Sequence, residues 1–147
     1  MANLISEKYR KSLLNTYNVS SQAVDTGDTL LFNNVNIDTG CSIDFSPGTG
    51  EITLQNPGVY LILADATISA TAPGVVTMQI NRGSNAINGA KTSTTVEAGS
   101  SYSSSVSTLV KVLPSCCAVN NSVIITVINS GIATTYTNLN LTAIKLC

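Results

Sequence analysis

The sequence predicts an all-β chain folded as a two-layer sandwich or barrel, and three observations carry that expectation. Its apolar residues are rich in Val and Ile and its polar ones in Ser, Thr and Asn, the composition of strands joined by turns. Turn signals recur along the chain, at Asp25-Thr26-Gly27-Asp28, Pro47-Gly48-Thr49-Gly50, Ala72-Pro73-Gly74, Arg82-Gly83-Ser84-Asn85 and Asn129-Ser130-Gly131. The third observation is the turn Asn56-Pro57-Gly58 and the run it opens, Val59-Tyr60-Leu61-Ile62-Leu63-Ala64, which has no charged or amide side chain on either side of the pleat.

At 147 residues the chain is expected to be one domain, residues 21–147, preceded by an arm, residues 1–20. Four of the charges, Glu7, Lys8, Arg10 and Lys11, cluster in that arm. Leu4, Ile5, Tyr9, Leu13, Leu14 and Tyr17 recur there at three-to-four-residue spacing, which predicts a short amphipathic helix. Such a helix is marginal alone, so its apolar stripe calls for a partner surface, either its own domain or a larger assembly.

From Ser21 onward the strand candidates are Gln22 to Val24, Thr29 to Phe32, Cys41 to Phe45, Glu51 to Gln55, the run after Gly58, Val75 to Asn81, Ala86 to Thr92, Tyr102 to Leu113, Ser122 to Asn129 and Asn138 to Leu146. The run Ser93 to Ser107 is the most polar, and reads either as a loop that contacts a ligand or as a strand edge kept polar against aggregation.

A strand with one wet face alternates, whereas Val59 to Ala64 does not, so both of its faces should be covered. One cover is the opposing sheet; the other is a neighbouring subunit, or else the strand is simply buried in a monomeric sandwich. Leu109 to Leu113 and Val123 to Ile128 are also nearly continuously apolar, while Leu139, Leu141 and Ala143 alternate with Asn140 and Thr142. Two inner faces offer too little interior for so many apolar strands, which points to self-association, most simply as a closed ring.

The succession Gly27-Asp28-Thr29-Leu30-Leu31-Phe32, Gly40-Cys41-Ser42-Ile43, Gly50-Glu51-Ile52-Thr53-Leu54 and Pro57-Gly58-Val59-Tyr60 resembles the trimeric jelly roll of tumour necrosis factor and the complement globular head. It looks most similar to the bacterial and phage branch, the C-terminal domains of collagen-like spore-surface glycoproteins and related short proteins. Val76-Thr77-Met78-Gln79-Ile80-Asn81 followed by Asn88-Gly89-Ala90 fits the same branch. The resemblance implies a two-sheet jelly roll of about ten strands forming a homotrimer with the central and final strands at its axis. Tyr60, Ile62, Leu109, Leu113, Leu139 and Leu141 are then expected in the trimer interface or the core. No Gly-X-Y stalk is present, and the arm is expected to take over tethering.

Cys41, Cys116, Cys117 and Cys147 include no C-x-x-C pair, and adjacent cysteines point to opposite faces of an extended chain, so zinc is a poor expectation. In the strand arrangement the resemblance implies, Cys116-Cys117 lies at the same end as Cys147 and Cys41. Disulfides from Cys41 and Cys147 to the adjacent pair, bonds between subunits, and reduced thiols are all compatible with that placement. A bridge from Cys147 to the pair would close a loop of about thirty residues and stabilise by roughly 3 kcal/mol.

The chain has no histidine, hence no Ser-His or Cys-His pair and no imidazole ligand, and no glycine-rich phosphate loop. With 10% charged residues and a net charge of -1 it lacks the footprint of a nucleic-acid or anionic-membrane binder. Asp25, Asp28, Asp38, Asp44, Glu51 and Asp65 are read as solvated turn acids rather than calcium ligands, and Asp65 and Lys111 interrupt apolar strands. Asn18, Asn120 and Asn140 open Asn-x-Ser/Thr triplets, which a chain of this composition contains by chance. No signal peptide, membrane span, cofactor or enzymatic activity is expected. The expected role is a structural surface protein on a virion (capsid decoration, head fibre or accessory protein) or on a spore or cell surface. The alternative is an adhesion module for a glycan or host-surface receptor.

Overall fold

The computed structural model describes residues 11–114 and 121–147. Those residues form eleven strands in two antiparallel sheets, an all-β jelly-roll sandwich. The first sheet has the order β3 (Asn34–Thr39), β1 (Leu13–Asn18), β11 (Thr134–Lys145), β6 (Gly58–Ser69), β9 (Ser101–Val112), with β2 (Gln22–Val24) also pairing β11. The second runs β4 (Ile43–Phe45), β5 (Ile52–Leu54), β10 (Val123–Asn129), β7 (Gly74–Arg82), β8 (Asn85–Val96).

The core forms because alternate residues of each strand point between the sheets. Tyr60, Ile62 and Ala64 of β6 and Leu139, Leu141 and Ala143 of β11 face Val76, Met78 and Ile80 of β7 and Ile125 and Val127 of β10, all buried. Phe32 and Phe45 close one flank edge to face, with ring centroids 6.5 Å apart. Buried Asn129 fastens the layers: its Nδ2 donates to the Val24 and Ile132 carbonyls at 3.0 and 2.8 Å, and its Oδ1 accepts from Tyr136 Oη at 3.1 Å.

The helix expected in the arm is not seen among the described residues. Leu13, Leu14 and Tyr17 lie on β1, bonded to β3 on one side and β11 on the other. Ladder partners on both edges outweigh the helical spacing of the three side chains that fall on β1. Leu14, Thr16 and Asn18 face the core, and Leu13, Asn15 and Tyr17 face outward. Leu4, Ile5 and Tyr9 lie outside the described residues.

One further reading changes. Thr29 to Phe32 makes only single bridges, Thr29 to Ile128 and Phe32 to Thr49, and the extra edge strand is β3, whose side chains are almost all exposed. Of the two readings of Ser93 to Ser107, the structure has the polar strand edge: Ser93 to Val96 end β8, β9 starts at Ser101, both strands lie at the edges of their sheets, and only residues 97–100 connect them.

Candidate assembly surface

The outward face of the first sheet carries an apolar row across four strands. Leu13 of β1 opposes Ile144 of β11, Ile144 opposes Leu61 of β6, and Leu61 opposes Leu109 of β9. Leu14, Ala143, Tyr60, Ile62 and Val110 beside them along their strands point into the core, so strand alternation turns this row outward. Leu109 is 59% exposed, Leu63, one pleat further along β6, is 38% exposed, and Leu61, Leu13 and Ile144 are half-buried. A groove of about 630 Å³ lined by Lys11, Leu13 and Asn36 to Thr39 extends the row toward the β3 edge, where Ile37 is 43% exposed.

Further along the same face the rows turn polar. Asn15, Thr142, Leu63 and Ser107 align next, then Tyr17, Asn140, Asp65 and Ser105. Asn15 Nδ2 donates to Asn140 Oδ1 at 3.0 Å and to Thr142 Oγ1 at 2.9 Å, and its Oδ1 accepts from Asn36 Nδ2 at 3.2 Å. These bonds fix the side chains and leave a flat surface, apolar at one end and polar at the other. Asp65 is exposed within β6, opposite Ser105, and Lys111 is exposed on β9 opposite Val59.

Of the six residues expected in the interface or core, Tyr60, Ile62, Leu139 and Leu141 are buried inside the chain and Leu109 and Leu113 are exposed. The expectation of two covered faces for Val59 to Ala64 is met on one side within the chain; Val59 and Leu61 are half-covered on the other and Leu63 is open. Leu61 and Ile144 were missed as surface residues. Their signal was parity: Asn140 and Thr142 mark the outward side of β11, and Ile144 shares it.

At the end of the sandwich nearest this row, the chain crosses between sheets after Gly40. Ser42 N donates to buried Ser12 Oγ at 2.9 Å, Asn56 Nδ2 donates to Ser42 Oγ at 2.9 Å, and Lys145 Nζ reaches the same oxygen at 3.5 Å. Tyr60 Oη donates to the Asn56 carbonyl at 2.6 Å. Burial pushes the Tyr60 hydroxyl above its ordinary pKa, against the bonds to Ser42 and Asn56 that pull it down. Tyr136 is pushed up further, by burial. Cys41 and Cys147 are free and exposed, and Cys116 and Cys117 lie outside the described residues. No group of three or more acidic or cysteine side chains that could hold a metal ion, and no helix long and apolar enough to cross a membrane, is present among the described residues.

A second open groove, about 470 Å³, is lined by Arg82, Leu113, Asn121 and Ile124. Arg82 Nη1 donates to the Lys111 carbonyl at 2.8 Å, which holds the guanidinium at the groove's rim.

Neither a protein-family profile nor a curated protein sequence matches the chain. Solved structures do. The globular domain of zebrafish complement 1qA protein superposes with a TM-score of 0.65 at 11% identity, covering 93% of this chain and 98% of that one. Murine APRIL gives 0.68 at 13% identity, covering 93% and 100%. The PRD1 vertex protein P5 gives 0.57 at 15% identity, covering 93% and 98%. At these identities the likeness is one of fold, and it spans nearly the whole chain: the protein is built as the jelly roll that complement 1qA, APRIL and the PRD1 vertex protein share.

Proposed function

We propose that the protein is a non-catalytic structural surface protein that assembles as a homotrimer through the outward face of its first sheet and decorates a large particle. A phage virion is the particle that fits best, with the protein as capsid decoration, head fibre or accessory, and the arm as its anchor. The observation that carries this reading is the apolar row Leu13, Ile144, Leu61 and Leu109. An isolated sandwich gains nothing by presenting four aligned aliphatic side chains to water, whereas a second copy of the chain covers them and a three-fold ring leaves no interface open. A vertex protein among the structures of like fold supports the particle role. The resemblance to spore-surface glycoproteins supports a coat of a different object with the same architecture.

The arm's contribution is testable only with a shorter deletion than the arm's expected bounds suggest. Removing residues 1–20 also removes β1, which pairs with both β3 and β11. Deleting residues 1–10 should leave the trimer intact and abolish co-sedimentation with virions purified from the same culture. Retained co-sedimentation by the truncated protein overturns the anchor.

The second groove favours an additional adhesive role, since Arg82, with N–H groups beyond the one bonded to the Lys111 carbonyl, sits beside exposed Leu113 and Ile124 and sets a donor next to an apolar platform. Binding on a glycan array that Arg82→Ala removes supports that role; an array without hits excludes it.

A further inference from the structure

Two cysteines that the sequence separates by almost the whole domain are brought to one end of the sandwich by a shared partner, Ser12. On one side, Ser12 Oγ accepts from the backbone of Ser42, the residue after Cys41, at 2.9 Å. On the other, the Ser12 carbonyl accepts from the backbone of Lys145, two residues before Cys147, at 3.1 Å. Lys145 Nζ spans the gap to Ser42 Oγ. The start of β6 is a second meeting point: Tyr60 Oη donates to the Asn56 carbonyl, Asn56 Nδ2 donates to Ser42 Oγ beside Cys41, and Val59 N donates to the Cys147 carbonyl at 3.1 Å. Both thiols are exposed, and beyond Lys145, where β11 ends, the backbone still follows β6, with Leu146 N donating to the Val59 carbonyl at 2.8 Å.

We propose that Cys41 and Cys147 close an intrachain disulfide when the protein meets a low-molecular-weight disulfide, tying the segment after β11 to the β3–β4 connection. The thiolate of one cysteine attacks the small disulfide and expels one small thiol. The second cysteine then attacks the mixed disulfide, forming the Cys41–Cys147 bond and expelling the other. The small disulfide is reduced by two electrons, and the two protein protons leave on its thiols. Closure requires the Cα atoms to come within about 7 Å, a demand that falls on the β3–β4 connection and on the two residues beyond Lys145, held to β6 by their two backbone bonds to Val59. The bond would encircle nearly the entire domain, the arrangement in which a crosslink most restricts the unfolded chain. It does not depend on the oligomeric reading.

The test uses oxidised glutathione with the intact protein and with the C116S/C117S variant, followed by thiol counting, non-reducing electrophoresis and peptide mapping by mass spectrometry. The expected result is a Cys41–Cys147 crosslinked peptide within a single chain of both proteins, no free thiol left in the variant, and a thermal midpoint that rises on oxidation but not in C147S. Thiols persisting in the variant, glutathione adducts on Cys41 or Cys147, chains joined through either of them, or Cys41 and Cys147 mapped to Cys116 and Cys117 each overturn the pairing. If the variant does not fold, the map of the intact protein decides alone.

Discussion

Leu61 and Leu109 stand directly opposite each other on β6 and β9, and both side chains point away from the core that their neighbours Tyr60, Ile62 and Val110 fill. Leu109 is the most exposed residue of the apolar row, and the pair is the place where the proposed trimer is most sensitive. Replacing both by Glu puts charges where a second copy would bury them, at a cost no partner offsets. Sedimentation should show the double variant as single chains with an unchanged β-sheet circular dichroism spectrum. A variant that keeps the mass of the parent protein removes this face from the interface.

The opposite parity predicts the opposite phenotype. Ile62 and Leu141 are fully buried, so Ile62→Ala or Leu141→Ala should cost about 2 to 5 kcal/mol of folding stability in urea titrations. A loss below about 1 kcal/mol would mean that the core assignment of β6 or β11 is wrong.

The contrast also shows what the sequence carried and what it did not. The turn at Asn56-Pro57-Gly58 and the strand after it were plain from the residues alone, and so were the buried Leu139 and Leu141, which alternate with polar neighbours. Which side of β6 faced inward was not legible, because Leu61 and Leu63 are as apolar as Ile62. β3 escaped notice because its six residues, Asn34 to Thr39, are nearly all exposed and offer no hydrophobic alternation. β1 was mistaken for helix because its identity as a strand depends on ladder partners about 20 and 125 residues away, which local spacing does not encode. β9 was legible as a strand from Tyr102 onward, but its serine-rich first half was not separable from a loop, because the outward positions there are serines and only Val106, Val110 and Val112 mark its buried apolar side.

The burial of Tyr136 sets an alkaline limit on stability. Burial raises the Tyr136 and Tyr60 hydroxyls in the folded chain, whereas the unfolded chain releases its tyrosine protons near the ordinary value of 10.0. The unfolded state therefore binds fewer protons above that pH, and stability should fall as pH rises beyond about 10, having been insensitive to these groups below it. Urea titrations from about pH 8 to 11 check the direction, and Tyr136→Phe should remove most of the slope. The same substitution should cost about 1 to 3 kcal/mol at neutral pH by leaving Asn129 Oδ1 without its donor.

Gly58 opens β6 at φ 151°, and a Cβ there would run into the Cys147 carbonyl and the Lys145 side chain. Gly58→Ala should lower the thermal midpoint by several degrees, the equivalent of about 1 kcal/mol or more, by displacing the end of β11. An unchanged melting curve would show that the segment after Lys145 moves aside freely.

The central claim, that the outward face of the first sheet is covered by further copies of the chain, is tested most directly by the solution mass of the intact protein. Light scattering at low concentration with reductant present should give three chains. A mass of one chain would contradict the account, leaving Leu13, Ile144, Leu61 and Leu109 to be covered by a foreign partner.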